Sequence, residues 1–157
     1  MKMKRILIDP AVCSGCRACE AVCSGWHEHR FGPSLARIHV VKREELGIDR
    51  PITCLQCNKA PCVASCPVQA LSRDPSTGAV RVDGDVCIGC GLCVDSCING
   101  SMSLHPDTSH ALVCDLCDGD PQCVAVCPTG ALLYGAPELV GARKRERTAL
   151  TSLRKEG

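Results

Sequence analysis

Only three of the 157 residues are aromatic: one Trp, one Tyr and one Phe. A domain of this length ordinarily fills much of its core with such rings, so something else must occupy the interior. Long apolar runs are missing as well. Ile6, Leu7 and Ile8 are stopped at once by Asp9 and Pro10, which is too short for a secretory h-region, and no twin-arginine signal accompanies them. No segment approaches the length of a membrane helix. Charge is not biased either: 18 Lys and Arg face 17 Asp and Glu, for a formal +1. There is no basic patch interleaved with aromatics for nucleic acid, no phosphate loop, no dinucleotide fingerprint and no hydrolytic triad. These gaps argue against secreted, membrane-spanning and nucleic-acid-binding classes. The expectation is a cytoplasmic protein with no substrate chemistry of its own.

What the chain does have is cysteine, sixteen in all. They fall in four groups: Cys13, Cys16, Cys19 and Cys23; Cys54, Cys57, Cys62 and Cys66; Cys87, Cys90, Cys93 and Cys97; Cys114, Cys117, Cys123 and Cys127. Each group opens C-x-x-C and closes C-x-x-x-C, with two, four, two and five residues between the halves, so the pattern is an internal repeat. A disulfide scaffold would be the first reading of so many thiols in a secreted chain, but the compartment expected here keeps thiols reduced and free to bind metal.

The spacing separates the metals. A C-x-x-C-x-x-C loop wraps around and delivers three thiolates to one small object. A cubane of four irons needs one more, and in bacterial ferredoxins the fourth cysteine of a run ligates the neighbouring cluster. The groups must then work in pairs, each lending its last cysteine from a short helical turn. Zinc usually takes two well-separated C-x-x-C pairs, and leaves the third cysteine of groups one and three unexplained. Sixteen thiolates match four [4Fe–4S] clusters. No ligand is missing, so His27, His29, His39, His105 and His110 are expected at the surface or in packing, as is Trp26; Phe31 and Tyr134 are expected to cover cluster edges. Spacing alone permits either sequential or nested pairing of the groups.

The stretches "DPAVCSGCRACEAVCS", "CLQCNKAPCVASCPVQAL", "VDGDVCIGCGLCVDSC" and "ALVCDLCDGDPQCVAVCPTGALLYG" span residues 9 to 135. Each half resembles a bacterial two-cluster ferredoxin. The whole resembles the polyferredoxin-like subunits of dimethyl sulfoxide reductase, formate dehydrogenase, formate-linked hydrogenases and carbon monoxide dehydrogenase. It is especially similar to the small iron–sulfur subunit of bacterial tungsten aldehyde oxidoreductases. Ser24 and Ile98 depart from that pattern, standing where Pro67 and Pro128 keep the usual proline.

The resemblance implies an α+β fold of two ferredoxin-like 2[4Fe–4S] modules with nested pairing. Residues 1–50 and 98–136 form the outer module and 51–97 the inner one. It implies four ligand sets: Cys13, Cys16, Cys19 with Cys127; Cys114, Cys117, Cys123 with Cys23; Cys54, Cys57, Cys62 with Cys97; and Cys87, Cys90, Cys93 with Cys66. It also implies a one-electron wire serving a large catalytic redox subunit, most closely a pterin-type one. Further copies of the chain or a flavin or NAD subunit are other partners; a freestanding polyferredoxin is the alternative.

Residues 4–9, 35–41 and 131–135 read as strands, and residues 70–85 and 101–113 as hairpins, the first turning at Asp74, Pro75 and Gly78. Short helices are expected at "CVASC" and "CVAVC". Asp115, Asp118 and Asp120 in group four should make its cluster harder to reduce than that of group two, which has Lys59. The basic tail, residues 137–157, should start a helix at Pro137 and Glu138, with Leu139, Ala142, Ala149, Leu150 and Leu153 near one face, and is a candidate docking element.

Overall fold

Four separate antiparallel ribbons of two strands each make up the β-structure of the described residues, 3–153 of a computed structural model. β1 (Arg5–Ile8) pairs with β8 (Leu132–Gly135), so the two flanks of the cysteine-bearing region meet. β2 (Ile38–Arg43) pairs with β3 (Ile48–Thr53), β4 (Leu71–Arg73) with β5 (Val80–Val82), and β6 (Ser103–Leu104) with β7 (Ala111–Leu112). The described residues also form five α-helices, four between strands and one after β8: α1 (Ala18–Glu28), α2 (Pro61–Ala64), α3 (Leu92–Asp95), α4 (Gln122–Ala125) and α5 (Glu138–Leu153). The result is a small mixed α and β fold.

The two short hairpins are built alike. Asp74 accepts from the N–H groups of Ser76 and Thr77 at 2.9 and 2.8 Å, closing the β4–β5 turn before Gly78 takes φ +74°. In β6–β7 the acceptor is His105 Nδ1, which takes the N–H groups of Asp107 and Thr108 at 3.1 and 3.3 Å. The repeat seen in the cysteines therefore extends to the turns, with an imidazole doing the work of a carboxylate. An accepting Nδ1 puts the proton on Nε2, which points at Glu28 from 3.4 Å.

Two elements differ from the sequence-based expectation. β3 was not foreseen, because Asp49, Arg50 and Pro51 are poor strand formers. Pairing decides the matter: Gly47 at φ +62° turns the chain, and Pro51 is buried opposite Val40. α1 runs far beyond the expected turn. The chain stays helical past Cys23, and the Ser24 hydroxyl donates back to the Glu20 carbonyl at 3.0 Å; loss of the proline is not enough by itself, since Ile98 stands in the same position and α3 ends at Asp95. α1 ends where His29 becomes left-handed at φ 52°.

The interior is filled by Ile38, Val80, Leu116, several alanines and the cysteines themselves. Gln56 is a large polar group within it, 1% exposed. Its Nε2 donates to the Cys114 carbonyl at 2.7 Å and its Oε1 accepts from Val80 N–H at 3.1 Å. It therefore fastens group two to group four and to β5.

The expected tail helix is present as α5. Arg143 donates to the Gly130 carbonyl at 2.8 Å, and Arg147 forms an ion pair with the buried Asp9. The side chains of Leu150 and Leu153, and the tail residues Arg154 and Lys155, lie outside the described set.

Gln56→Ala would leave a buried carbonyl and a buried N–H without partners. The expected loss is about 2–4 kcal/mol, read as a lower unfolding midpoint of the metal-loaded protein. A loss below about 1 kcal/mol would mean that water replaces both contacts.

Candidate metal centre

α2, α3 and α4 each carry the third cysteine of a group, and Cys62, Cys93 and Cys123 are all buried. α1 does the same for Cys19 and continues on to bury Cys23 one turn later. The loops before the helices need left-handed backbone. Gly15 has φ +65°, and a Cβ there would lie 2.3 Å from the Asp49 carboxylate; Gly89 has φ +66°, and its Cβ would lie 2.7 Å from the Ser109 carbonyl oxygen. At Gly89 the obstacle is backbone, so only glycine fits both the angle and the space there; the equivalent positions of groups two and four hold Gln56 and Leu116 at φ 50° and 63°.

The cysteines converge across groups. One cavity is lined by Cys13, Cys16, Cys19 and Cys127. A second is lined by Cys23, Cys114, Cys117 and Cys123. A third is lined by Cys66, Cys87, Cys90 and Cys93. The remaining four also lie together: Cys57 and Cys97 stand near enough to Cys54 and Cys62 to disfavour their ionisation. Neighbouring sets also lie within electrostatic reach of one another. Cys123 senses Cys19, and Cys114 senses Cys54. The Ser65 and Ser96 hydroxyls meet at 2.9 Å, joining the helical turns that lead to Cys66 and Cys97. The order of the sets in space is thus Cys16, Cys117, Cys57, Cys90. Of the sixteen side chains, only Cys16 and Cys90 are exposed.

The thiols divide electrostatically. Burial pushes Cys54 up to about 11, and Cys19 and Cys114 up to about 12. Cys62, Cys93 and Cys123 are raised for the same reason. Such thiols ionise only against a metal cation. Cys66, Cys97 and Cys127, the last cysteines of their groups, are shifted the other way. Desolvation opposes their charge, but surrounding backbone N–H groups, and the Ser101 and Thr129 hydroxyls beside Cys97 and Cys127, outweigh it. Backbone N–H groups reach four sulfurs directly: Ala70 to Cys66 and Arg37 to Cys23 at 3.2 Å, Gln56 to Cys54 at 3.4 Å, and Gly15 to Cys13 at 3.5 Å. The chain thus supplies sulfur ligands and a partly built positive lining for them.

One side chain that the sequence assigns to the surface or to packing stands beside a thiol set instead. His27 lines the Cys117 cavity. Its Nδ1 faces the Cys23 carbonyl at 2.8 Å and its Nε2 the Asp115 carboxylate at 3.1 Å. Both partners only accept, so both ring nitrogens donate and the ring is a cation. Burial works against that charge, but hydrogen bonds to Asp115, Cys117 and Cys23 carry its pKa up to about 12. Burial likewise opposes the Asp115 charge, yet His27 and the Cys117 N–H hold that carboxyl down to about 2. The available signal was the four-residue step from Cys23 to His27, which becomes meaningful only once α1 is known to be helical. Asp118 is paired with Arg81, so two of the three aspartates expected to oppose reduction of group four have a cationic partner. Phe31 does not act as cover; it is 83% exposed and set against Gly25.

Residues 48–137 match the family described as 4Fe-4S dicluster domain, and residues 10–26 match a 4Fe-4S binding domain. The chain belongs to the 4Fe-4S dicluster domain family. It is 46% identical to the polyferredoxin-like subunit of aliphatic sulfonate oxidoreductase from Pyrococcus furiosus, over 78% of this chain and 70% of that one. It is 37% identical to the electron transport protein HydN of Escherichia coli K12, over 92% and 97%. Among solved structures it is similar to the active site complex BamBC of benzoyl coenzyme A reductase with 1,5-dienoyl-CoA. That likeness has a TM-score of 0.53 and 30% identity, covering 85% of this chain and 76% of the other. As a 4Fe-4S dicluster protein with sixteen cysteines in four repeats, the chain fits four [4Fe–4S] clusters.

Replacing His27 by Gln removes a cation from the edge of one thiol set. One of the four clusters should become harder to reduce by roughly 40–90 mV, the one-electron equivalent of about 1–2 kcal/mol. A redox titration followed by electron paramagnetic resonance would show a single potential moving; four unmoved potentials would mean that solvent screens the imidazolium.

Proposed function

We propose that the chain is the electron-transfer subunit of an oxidoreductase complex, with each cluster held across two cysteine groups. Cys13, Cys16, Cys19 and Cys127 hold one; Cys114, Cys117, Cys123 and Cys23 the next; Cys54, Cys57, Cys62 and Cys97 the third; Cys87, Cys90, Cys93 and Cys66 the fourth. The observation that carries this reading is the row of adjoining thiol sets whose two ends bear the only exposed cysteines. When bound, each [4Fe–4S] cluster takes up one electron and passes it on.

The protein's own part is to hold and insulate. Three cysteines of one group fix three corners, the last cysteine of the partner group closes the fourth, and backbone N–H groups stabilise the negative charge. The outer module then comprises residues 1–50 and 98–136, which β1 and β8 join, and the inner one residues 51–97. Relatives named as a polyferredoxin-like subunit and as an electron transport protein favour the same role. Among the described residues no helix is long and apolar enough to cross a membrane. We place the chain in the cytoplasm beside a large catalytic subunit that performs the substrate chemistry. The motif resemblance favours a tungsten or molybdenum pterin aldehyde oxidoreductase for that subunit. Residues 137–157, where Lys144 and Arg145 are exposed, serve as a docking helix toward it.

Two experiments test this. Native mass spectrometry of complexes captured from the source cell should show the chain with a larger redox subunit and carrying about sixteen irons. A chain recovered alone at every ionic strength would favour a freestanding carrier. Removing residues 137–157 should leave the iron in place and weaken assembly, more so at high salt.

Cys127→Ser should perturb the cluster held by Cys13, Cys16 and Cys19, leaving that of Cys114, Cys117 and Cys123 intact. Resonance Raman or paramagnetic resonance spectra of single-site variants in the two groups would distinguish them. The opposite pattern would mean that each group keeps its own last cysteine.

A further inference from the structure

The two ends of the row do not offer the same surface. The cavity of the Cys90 set is lined by apolar side chains, glycine and sulfur, with no Lys or Arg. Around its exposed thiol the same loop turns Ile88, Leu92 and Val86 outward, 65%, 47% and 43% exposed. Asp83, Asp85 and Asp95 are exposed on the flanks of that loop. The chain has no Lys or Arg at all between Arg81 and Arg143, so no cation from this half of the sequence offsets them. The Cys16 end is different: Arg17 follows the thiol, and Lys42 approaches the Gly15 carbonyl at 3.5 Å while pairing with Asp49 at 3.0 Å.

We propose that the Cys90 loop is the docking face for a redox protein whose own face is apolar at the centre and rimmed with Lys or Arg. Charge complementarity identifies the occupant. Carboxylates rim the apolar loop, and thiolate-bound iron–sulfur clusters add negative charge behind it, so a cationic face is drawn in and an anionic one repelled. The exposed apolar side chains supply the dry contact that lets two redox centres approach closely. The inference rests on reading the Cys90 set as a terminal cluster. The step is one electron moving from that reduced cluster to an oxidised partner, with no bond made or broken.

The test uses the metal-loaded protein, reduced with dithionite and mixed anaerobically with cytochrome c, a basic haem protein. One electron then converts ferric to ferrous haem, which is followed by stopped flow. The wild-type second-order rate constant should fall as salt rises. Asp85→Lys with Asp95→Lys should lower it about tenfold at low salt, whereas Glu44→Lys with Glu45→Lys, the same charge change in the β2–β3 turn, should leave it within about twofold. Iron and sulfide are measured on the same samples. Unchanged rates in the fully loaded aspartate variant, or an equal fall in the glutamate variant, overturn the docking face alone. A Cys90→Ser variant in which no cluster is altered overturns the face together with the terminal-cluster reading.

Discussion

Convergence of thiols from distant stretches is the constraint on which the rest of the structure depends. Each of the three thiol-lined cavities joins three cysteines of one loop to a single cysteine of another group, and Cys127 reaches the set of Cys13 across most of the chain. No local element could make such a site. The β1–β8 pairing, the Gln56 contacts to Cys114 and Val80, and the Ser65–Ser96 hydrogen bond all hold loops from different groups at fixed distances. Regular structure is correspondingly sparse, because a dozen or so residues around each set must serve coordination before they can serve a helix or a sheet. The same constraint explains the shortage of aromatics: the space a ring would fill is taken by sulfur ligands and what they bind.

Charge follows from that arrangement. The cysteines buried in helical turns cannot ionise without a cation, while those that end groups two, three and four sit among backbone N–H groups that favour the thiolate. His27 adds a full positive charge at one set, and its carboxylate partner Asp115 keeps it there. Potential along the row is therefore set by local hydrogen bonding and pairing as much as by the count of nearby aspartates. At the two ends the emphasis passes from stabilising clusters to meeting other molecules, which is where Cys16 and Cys90 come to the surface.

Much of this was legible in the sequence. The cysteine repeat announced the chemistry, and alternation at Ile38 and Val40 and the Asp74–Gly78 turn announced ribbons that are present. β3 was hidden because Pro51 disguises a strand that only its partner stabilises. The length of α1 was not legible, because Ile98 departs from proline as Ser24 does and yet α3 ends at Asp95. The ionic role of His27, which the sequence places only at the surface or in packing, was invisible because it depends on α1 and on Asp115, 88 residues away. The likeness of the His105 and Asp74 turns was also out of reach, because a histidine and an aspartate look unrelated until both are seen accepting the same two N–H groups.

The most direct measurement is anomalous diffraction at the iron absorption edge, from crystals of anaerobically purified protein. The account predicts four iron centres in a single row, in the order of the Cys16, Cys117, Cys57 and Cys90 sets. Each should be bonded to three sulfurs of one group and the last sulfur of its partner. Iron centres each bonded to all four cysteines of one group, or a zinc-edge signal in their place, would contradict it.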